Sequence, residues 1–304
     1  MNHIVFGGTG LLGSAIARSV DNPIIVSSKD FDATNQQQTF EWFENHKHIV
    51  AMSHAYICTG RVAGIVGQDN EFMLRDNTLI AINLLSALSQ YQKIGLTFYY
   101  SSSCVYPRAM DEFSENDLMH GVCEPSNEGY AIGKIVGQKY CSFLNASHGY
   151  RKFITIVPPN LYGENDNWDL ATCHVLPALT QKIYLAHQHR DAQLTLMGVP
   201  TVHREFIRSD DVASVTQHIL HTPSEYDTIN VGLGIDLSLS EIVNQLADRI
   251  GYTGRILFSG KNKGKLRKLM KVDRQNELGW KPTYDYNDMF NFLVEEVEKR
   301  YGKT

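Results

Sequence analysis

Paired cysteine is what this chain lacks. Cys58, Cys104, Cys123, Cys141 and Cys173 are odd in number and scattered along 304 residues. No Cys-x-x-Cys pair suggests a zinc site or a redox dithiol, so no metal is expected and a reducing, cytoplasmic setting fits best. Long apolar runs are also missing. None approaches the roughly 18 residues of a membrane span, and no secretory apolar stretch precedes His3-Ile4-Val5-Phe6. Positive charge is not in excess either. A net charge of −5 gives no global basic footprint for nucleic acid. Internal repeats and low-complexity linkers are absent. What remains, 43% hydrophobic and 20% charged residues, is the composition of an ordinary globular protein with ample core for one large or two modest domains.

The chain opens as strand, glycine turn and helix. Ile4-Val5-Phe6 leads into Gly7-Gly8-Thr9-Gly10-Leu11-Leu12-Gly13, followed by the helical Ser14-Ala15-Ile16-Ala17-Arg18. Glycines at this spacing let backbone approach a pyrophosphate, whose charge rests on the helix N-terminus. The second strand, Ile24-Ile25-Val26, ends in Ser27-Ser28-Lys29-Asp30. Hydroxyls and a cation at Ser28 and Lys29 suit a ribose 2′-phosphate, so the balance favours NADP(H). Asp30 and Asp32 keep an NAD site open, because NAD sites place an acid near this strand's end.

The chemistry sits further on. Leu96-Thr97-Phe98-Tyr99-Tyr100 reads as a buried strand that breaks into Ser101-Ser102-Ser103-Cys104. Ligands collect outside the carboxyl ends of parallel strands. Tyr130 and Lys134 lie four apart on the next helix, one turn from each other on a single face. A cation beside a phenol is expected to lower its pKa, so that Tyr130 can exchange a proton with a sugar hydroxyl or ketone. A surface tyrosine and a solvated lysine share this spacing, which therefore decides nothing alone.

The glycine-rich stretch from Thr59 to Ile65 is a third segment at a strand's carboxyl end, and Pro158-Pro159-Asn160-Leu161-Tyr162-Gly163 is another. Asn77 and Asn83, inside an apolar helix, read as solvated. The polar loop from Arg108 to Asn127 is placed to cover the site. After about residue 164 the β-α alternation loosens, with a helix from His174 and a strand-like Arg204-Glu205-Phe206-Ile207. Ser238 and Glu241 make a capping box. Seven Lys/Arg lie between Lys261 and Arg274, read either as a solvated loop or as a phosphate clamp. The last helix, from about Asp285 to Tyr301, is amphipathic.

Taken together, the glycine turn, Ser102 before Val105-Tyr106, Tyr-x-x-x-Lys and Pro-x-Asn-x-Tyr-Gly are similar in order and spacing to the extended short-chain dehydrogenase/reductase family. Ser102-Ser103-Cys104-Val105-Tyr106-Pro107, Asn127 to Lys134, Asn160 to Asn167, His174 to Leu179, Arg204-Glu205-Phe206, Asn230-Val231-Gly232 and Arg267 to Met270 carry a narrower likeness. They resemble the branch that epimerises and reduces GDP-4-keto-6-deoxy sugars with NADPH, and the likeness covers nearly the whole chain.

The resemblance implies an α/β fold: a Rossmann-type doubly wound parallel sheet over 1–163, then a smaller substrate-binding cap over 164–304, with about 202–232 returning to the first domain. It implies Ser102, Tyr130 and Lys134 as the reductase triad, and Cys104 and His174 as base and acid of epimerisation. Gly7 to Gly13, Asn160, Leu161, Gly163 and His174 would meet the cofactor. Ser103, Asn160, Lys182, Met197, Arg204 and Lys268 would meet the GDP-sugar. A homodimer through the helices on either side of the Ser102 strand is expected. Ser101, Arg61, Gly129 and Met197 stand where the family has Gly, Lys, Pro and Trp, which leaves hexose or heptose open.

Two rival classes stay in view. A sugar 4,6-dehydratase or 4-epimerase on the same scaffold is disfavoured by Ser103 and Cys104, where dehydratases pair Asp with Glu. A non-catalytic dinucleotide sensor is disfavoured by the intact Ser102, Tyr130 and Lys134.

Overall fold

The computed structural model describes residues 1–60, 69–260 and 265–302. Expectations placed on Arg61 and the residues that follow it to Ile65, and on Lys261 and Lys263, lie outside these. The first half alternates strand and helix: β1 (Asn2–Phe6), α1 (Leu11–Ser19), β2 (Pro23–Val26), α2 (Gln36–Asn45), β3 (Ser53–Ile57), α3 (Asn70–Ser89), β4 (Thr97–Tyr100), α4 (Glu128–His148) and β5 (Phe153–Val157). Short apolar strands joined by longer helical runs need crossover connections, and crossovers produce a parallel sheet. Thr228–Asn230 joins much later as β6, and the six strands lie in the order β6-β5-β4-β3-β1-β2, every pair parallel. The order reverses between β1 and β3, and this switch point opens a crevice at the carboxyl ends.

Alternation along the strands sorts the core into two layers. Ile4, Phe6, Ala55, Ile57, Tyr99 and Phe153 pack with Phe43 of α2, Leu84 and Leu88 of α3, and Cys141 and Leu144 of α4. Val5, Tyr56, Phe98, Tyr100, Ile154 and Ile156 face the other way, onto Ala15 and Ile16 of α1 and Val212, Val215 and Ile219 of a later helix. The sheet is thus doubly wound. Asn77 and Asn83 are buried, not solvated, because they serve backbone: Asn77 donates to the Met73 carbonyl at 2.8 Å and Asn83 to the Ala33 carbonyl at 3.0 Å.

The rest assembles from smaller pieces. Helices α5 (Val175–His189), α6 (Ser209–His221), α7 (Leu239–Ile250) and α8 (Tyr286–Tyr301) follow in order. Of these, α6 is the helix packed on the sheet, while α5, α7 and α8 enclose a separate core around Ile183, Leu246, Met289 and Leu293. Ser238 caps α7 in a reciprocal box with Glu241. The expected strand from Arg204 to Ile207 is split. His203–Arg204 pairs antiparallel with Leu237–Ser238, and Phe206–Arg208 runs parallel to Asn160–Tyr162. Glu205 stands between them because its carboxylate turns inward, accepting from the Gly234 amide at 2.8 Å and the Met270 amide at 3.1 Å. In the polar loop, Glu112–Phe113 pairs with Leu269–Met270. Among the described residues no helix is long and apolar enough to cross a membrane, and no group of three metal-binding side chains occurs.

Candidate active site

The site grows from the end of β4. Ser102 leaves the strand extended and caps a short helical turn, Ser103–Val105, accepting from the Cys104 amide at 3.3 Å. Ser103 is anchored through its amide to the Pro158 carbonyl at 3.0 Å. Tyr130 and Lys134 project from α4 towards this turn. Gly137, one turn on, allows α4 to lie against β4, since a Cβ there would sit 2.3 Å from the Tyr99 ring.

The Lys134 ammonium donates to the Tyr100 carbonyl at 2.9 Å and lies 5.9 Å from the centre of the Tyr130 ring. The expectation that Lys134 lowers the phenol is not met. Burial pushes the Tyr130 pKa up, the neighbouring Cys104 adds to this, and a hydrogen bond with Ser102 works the other way. The ammonium is spent on the strand's last carbonyl, and burial lowers its own pKa to about 8. Spacing puts the two groups on one face of a helix but does not choose the ammonium's partner.

A second group surrounds the thiol. Asn127 donates to the Cys104 sulfur at 3.0 Å, and the Lys268 ammonium stands 3.9 Å from it. Arg204 holds the Lys265 carbonyl at 2.9 Å and the His203 carbonyl at 2.6 Å. Burial lowers the Arg204 pKa, and the fields of Cys104 and Glu124 oppose that shift. Of the basic segment, Lys265 is 6% exposed, Arg267 pairs with Asp236 at 2.6 Å and Glu112 at 3.1 Å, and Arg274 donates to the Thr228 carbonyl at 2.8 Å. These residues are pinned rather than loose. Lys265 belongs to the basic segment read as a possible phosphate clamp, whereas the sequence does not single out Glu124. A buried charge inside a polar run leaves no periodic signature, although Glu124 lies only three residues before Asn127.

The cofactor cradle lies at the switch point. Gly7 has φ +79°, and a Cβ there would meet the Thr59 amide nitrogen at 2.9 Å. A Cβ on Gly13 would strike the Gly7 carbonyl at 2.0 Å, so α1 closes onto the turn only without one. Gly10 caps α1 with no side-chain hydrogen bond, and no acid occupies the helix's first turn. Uncapped amides at a helix N-terminus accept an anion, so these residues fit a dinucleotide pyrophosphate. Gly8 packs under Ile25 and Thr9 is exposed. Leu11 touches the Gly163 turn, while Leu12 packs into the core. Ser28 lines the cleft with Gly7, Phe31, Asp32 and Thr59. Lys29 is exposed, and Asp30 is tied to the Ser27 amide at 2.7 Å. Asn160 holds the Glu205 carbonyl at 2.8 Å, and Leu161 beside it is partly buried.

His174, Lys182 and Met197 are not drawn into either group. All three are exposed, with Met197 at 72%, and no side-chain hydrogen bond joins them to the thiol or the phenol. His174 stands at the N-cap position of α5 without a side-chain cap hydrogen bond, and desolvation lowers its pKa.

Comparison with known proteins shows the family and the fold. Residues 3–232 match the model of the NAD dependent epimerase/dehydratase family. The chain is 34% identical over 290 residues to a GDP-L-fucose synthase of Sinorhizobium fredii, covering 91% of this chain and 89% of the relative. It is 31% identical over 295 residues to the GDP-L-fucose synthase of Escherichia coli K12, covering 91% and 90%. A solved GDP-6-OMe-4-keto-L-xylo-heptose reductase from C. jejuni superposes with a TM-score of 0.88 over 98% of both chains at 23% identity, a likeness of fold.

Proposed function

The chain belongs to the NAD dependent epimerase/dehydratase family, and from that premise we propose that it is an NADPH-dependent epimerase/reductase of a GDP-4-keto-6-deoxy sugar, similar to GDP-L-fucose synthase. One observation carries the reading. Ser102 and the thiol held by Asn127 and Lys268 stand on one short turn after β4, and Tyr130 and Lys134 face that turn from α4. A dehydratase or a dinucleotide sensor has no use for that thiol.

When bound, NADPH supplies the hydride that reduces C4. The protein does the rest. A 4-ketone acidifies the protons at C3 and C5, and Cys104 removes one as thiolate, with Lys268 and Asn127 beside it to carry the charge. Ser102 holds the C4 oxygen. Tyr130 delivers a proton to that oxygen as hydride arrives, and its raised pKa keeps it in the protonated form that donates. Lys134 orients the ribose and fixes the end of β4. His174 is the proposed acid on the opposite face, and Arg204, Lys182 and Lys268 face the diphosphate. NADP(H) is favoured over NAD(H) because Asp30 is committed to Ser27. Lys29→Ala should raise the Kd for NADPH more than that for NADH.

The domain reading follows the cores. Residues 1–163 form the dinucleotide-binding domain and 164–304 mainly the cap, with about 202–232 returning to the first. Val212 and Ile229 share the core of Val5 and Ile154, which supports that return. The assembly reading is a homodimer through α3 and α4, supported by the exposed Leu74, Leu79, Ile132 and Phe143 on those helices. Light scattering at micromolar concentration that returns a monomer's mass would reject it. The five free thiols support a reducing, cytoplasmic setting.

The deciding assay follows NADPH oxidation with GDP-4-keto-6-deoxy-mannose in deuterated water. Oxidation with deuterium at C3 and C5 of the product is expected. Oxidation without deuterium would make the protein a C4 reductase only, a reading in which a GDP-4-keto-6-deoxy-heptose is an equal candidate.

A further inference from the structure

Three buried polar side-chain atoms in the segments that meet around the site have no hydrogen-bond partner among the described residues: one oxygen of Glu124, the carbonyl oxygen of Asn127 and the ammonium of Lys265, whose ion-pair partner Asp111 is 4.0 Å away. Such atoms are rare in folded proteins, because an unmet buried acceptor costs about as much as a lost hydrogen bond. Two of them share one helical turn. Glu124 caps the turn Pro125–Asn127 and is 4% exposed. The oxygen without a hydrogen bond is the one that forms a loose ion pair with Arg108 at 3.5 Å. Asn127 spans the gap to the thiol, with its amide nitrogen on the Cys104 sulfur and its oxygen left open. The Glu124 carboxylate acts electrostatically on both Arg204 and Lys265, and those two are joined by the hydrogen bond from Arg204 to the Lys265 carbonyl at 2.9 Å.

From this we infer that Glu124 and Asn127 form a hydroxyl-reading subsite, the element that selects the sugar by the hydroxyls flanking the carbons brought to Cys104. The inference rests on the nucleotide-sugar reading above and deepens it. Glu124 and Asn127, at the two ends of one short turn, offer a carboxylate and an amide oxygen that accept hydrogen bonds and repel phosphate, so the diphosphate belongs with Arg204 and Lys268 and the polyol with Glu124 and Asn127. A ring whose C3 or C5 proton meets the Cys104 sulfur carries its neighbouring hydroxyls close to that sulfur, on which Asn127 already rests at 3.0 Å. A site built to accept from a hydroxyl rejects an analogue lacking it far more strongly than an apolar pocket could, since its own buried groups are then left unpaired. Glu124 and Asn127 are therefore specificity-determining residues, and neither exchanges a proton with C3 or C5.

The test compares two probes, GDP and GDP-mannose, titrated calorimetrically into wild type, Glu124→Gln and Asn127→Ala. Wild type is expected to bind GDP-mannose more tightly than GDP. Each variant should lose about 10–100-fold in affinity for GDP-mannose, the range of a hydrogen bond involving a charged or buried partner, while its affinity for GDP stays within about two-fold. A melting curve for each variant checks the fold, and Asn127→Ala, on a partly exposed turn, carries the comparison if Glu124→Gln does not fold. Equal losses for both probes, or none for either, would overturn the subsite and leave the enzymatic reading intact. Wild type that binds neither probe would remove the nucleotide-sugar reading and the subsite with it.

Discussion

The two chemical groups after β4 are built in opposite ways. Ser102, Tyr130 and Lys134 come from one strand end and the helix that follows, within 33 residues of chain numbering. The surroundings of Cys104 come from Asn127, Arg204 and Lys268, and the contact with Lys268 closes a separation of 164 residues. The first group stands on a sheet buried on both faces and is fixed by backbone. The second depends on tertiary pairings between short pieces, Glu112–Phe113 with Leu269–Met270 and His203–Arg204 with Leu237–Ser238. One turn of chain therefore joins a rigid half-site to one whose geometry is set at a distance. Perturbations should separate the corresponding half-reactions.

The sharpest break is Tyr130→Phe. It should lower NADPH oxidation by about 10²–10⁴-fold, the usual worth of a positioned acid, while solvent deuterium still enters C3 and C5. Cys104→Ser should do the reverse. Exchange falls by a similar ~10²–10⁴-fold, and slow reduction of the un-epimerised ketone survives. Loss of both activities in either variant would mean that the two groups act as one. Lys268→Met should weaken substrate binding in both half-reactions and slow exchange by about ten-fold more than the hydride step, the worth of one charge-assisted contact at 3.9 Å. A matching loss of reduction would show Lys268 to be a substrate anchor only.

The smallest effect concerns stability. Burial raises the Glu205 pKa from 4.5 to about 7. Between those values the folded chain holds a proton that the unfolded chain has released, so stability falls as pH rises from about 4.5 to 7. Glu205→Gln should flatten that fall, whichever way it shifts the melting temperature overall. A wild-type melting temperature that does not fall across this window would show that other groups offset Glu205.

The same contrast explains what could be read from the sequence. Gly7, Gly10 and Gly13, Ser102, and Tyr130 with Lys134 are local patterns, and a local pattern survives as text: glycine before helix, hydroxyl after strand, two residues one turn apart. Asn77 and Asn83 misled because a polar residue in an apolar helix looks solvated until the carbonyl it serves is known. The Tyr130 pKa misled for a related reason. The phenol's desolvation and the ammonium's turn to the Tyr100 carbonyl depend on packing that no spacing records. The burial of Glu124 and Lys265 was illegible because burial of a charge is decided by which distant segment covers it. Arg204 to Ile207 read correctly as extended, but the sequence could not show that Glu205 would turn inward and divide it.

The pairing of Glu112–Phe113 with Leu269–Met270 also orders events in time. A ribosome that has released residues 1–157 has already supplied five of the six sheet strands and the whole of the Ser102, Tyr130 and Lys134 group. Domains tend to fold from the N-terminus as they emerge, so a nascent chain can bind a dinucleotide before it owns a second half-site. Lys268 and the strand that pins the polar loop arrive more than a hundred residues later, and contacts of such long sequence separation form slowly. A chain stopped before residue 265 would keep the cradle at Gly7–Gly13 and lose Lys268 from beside its thiol.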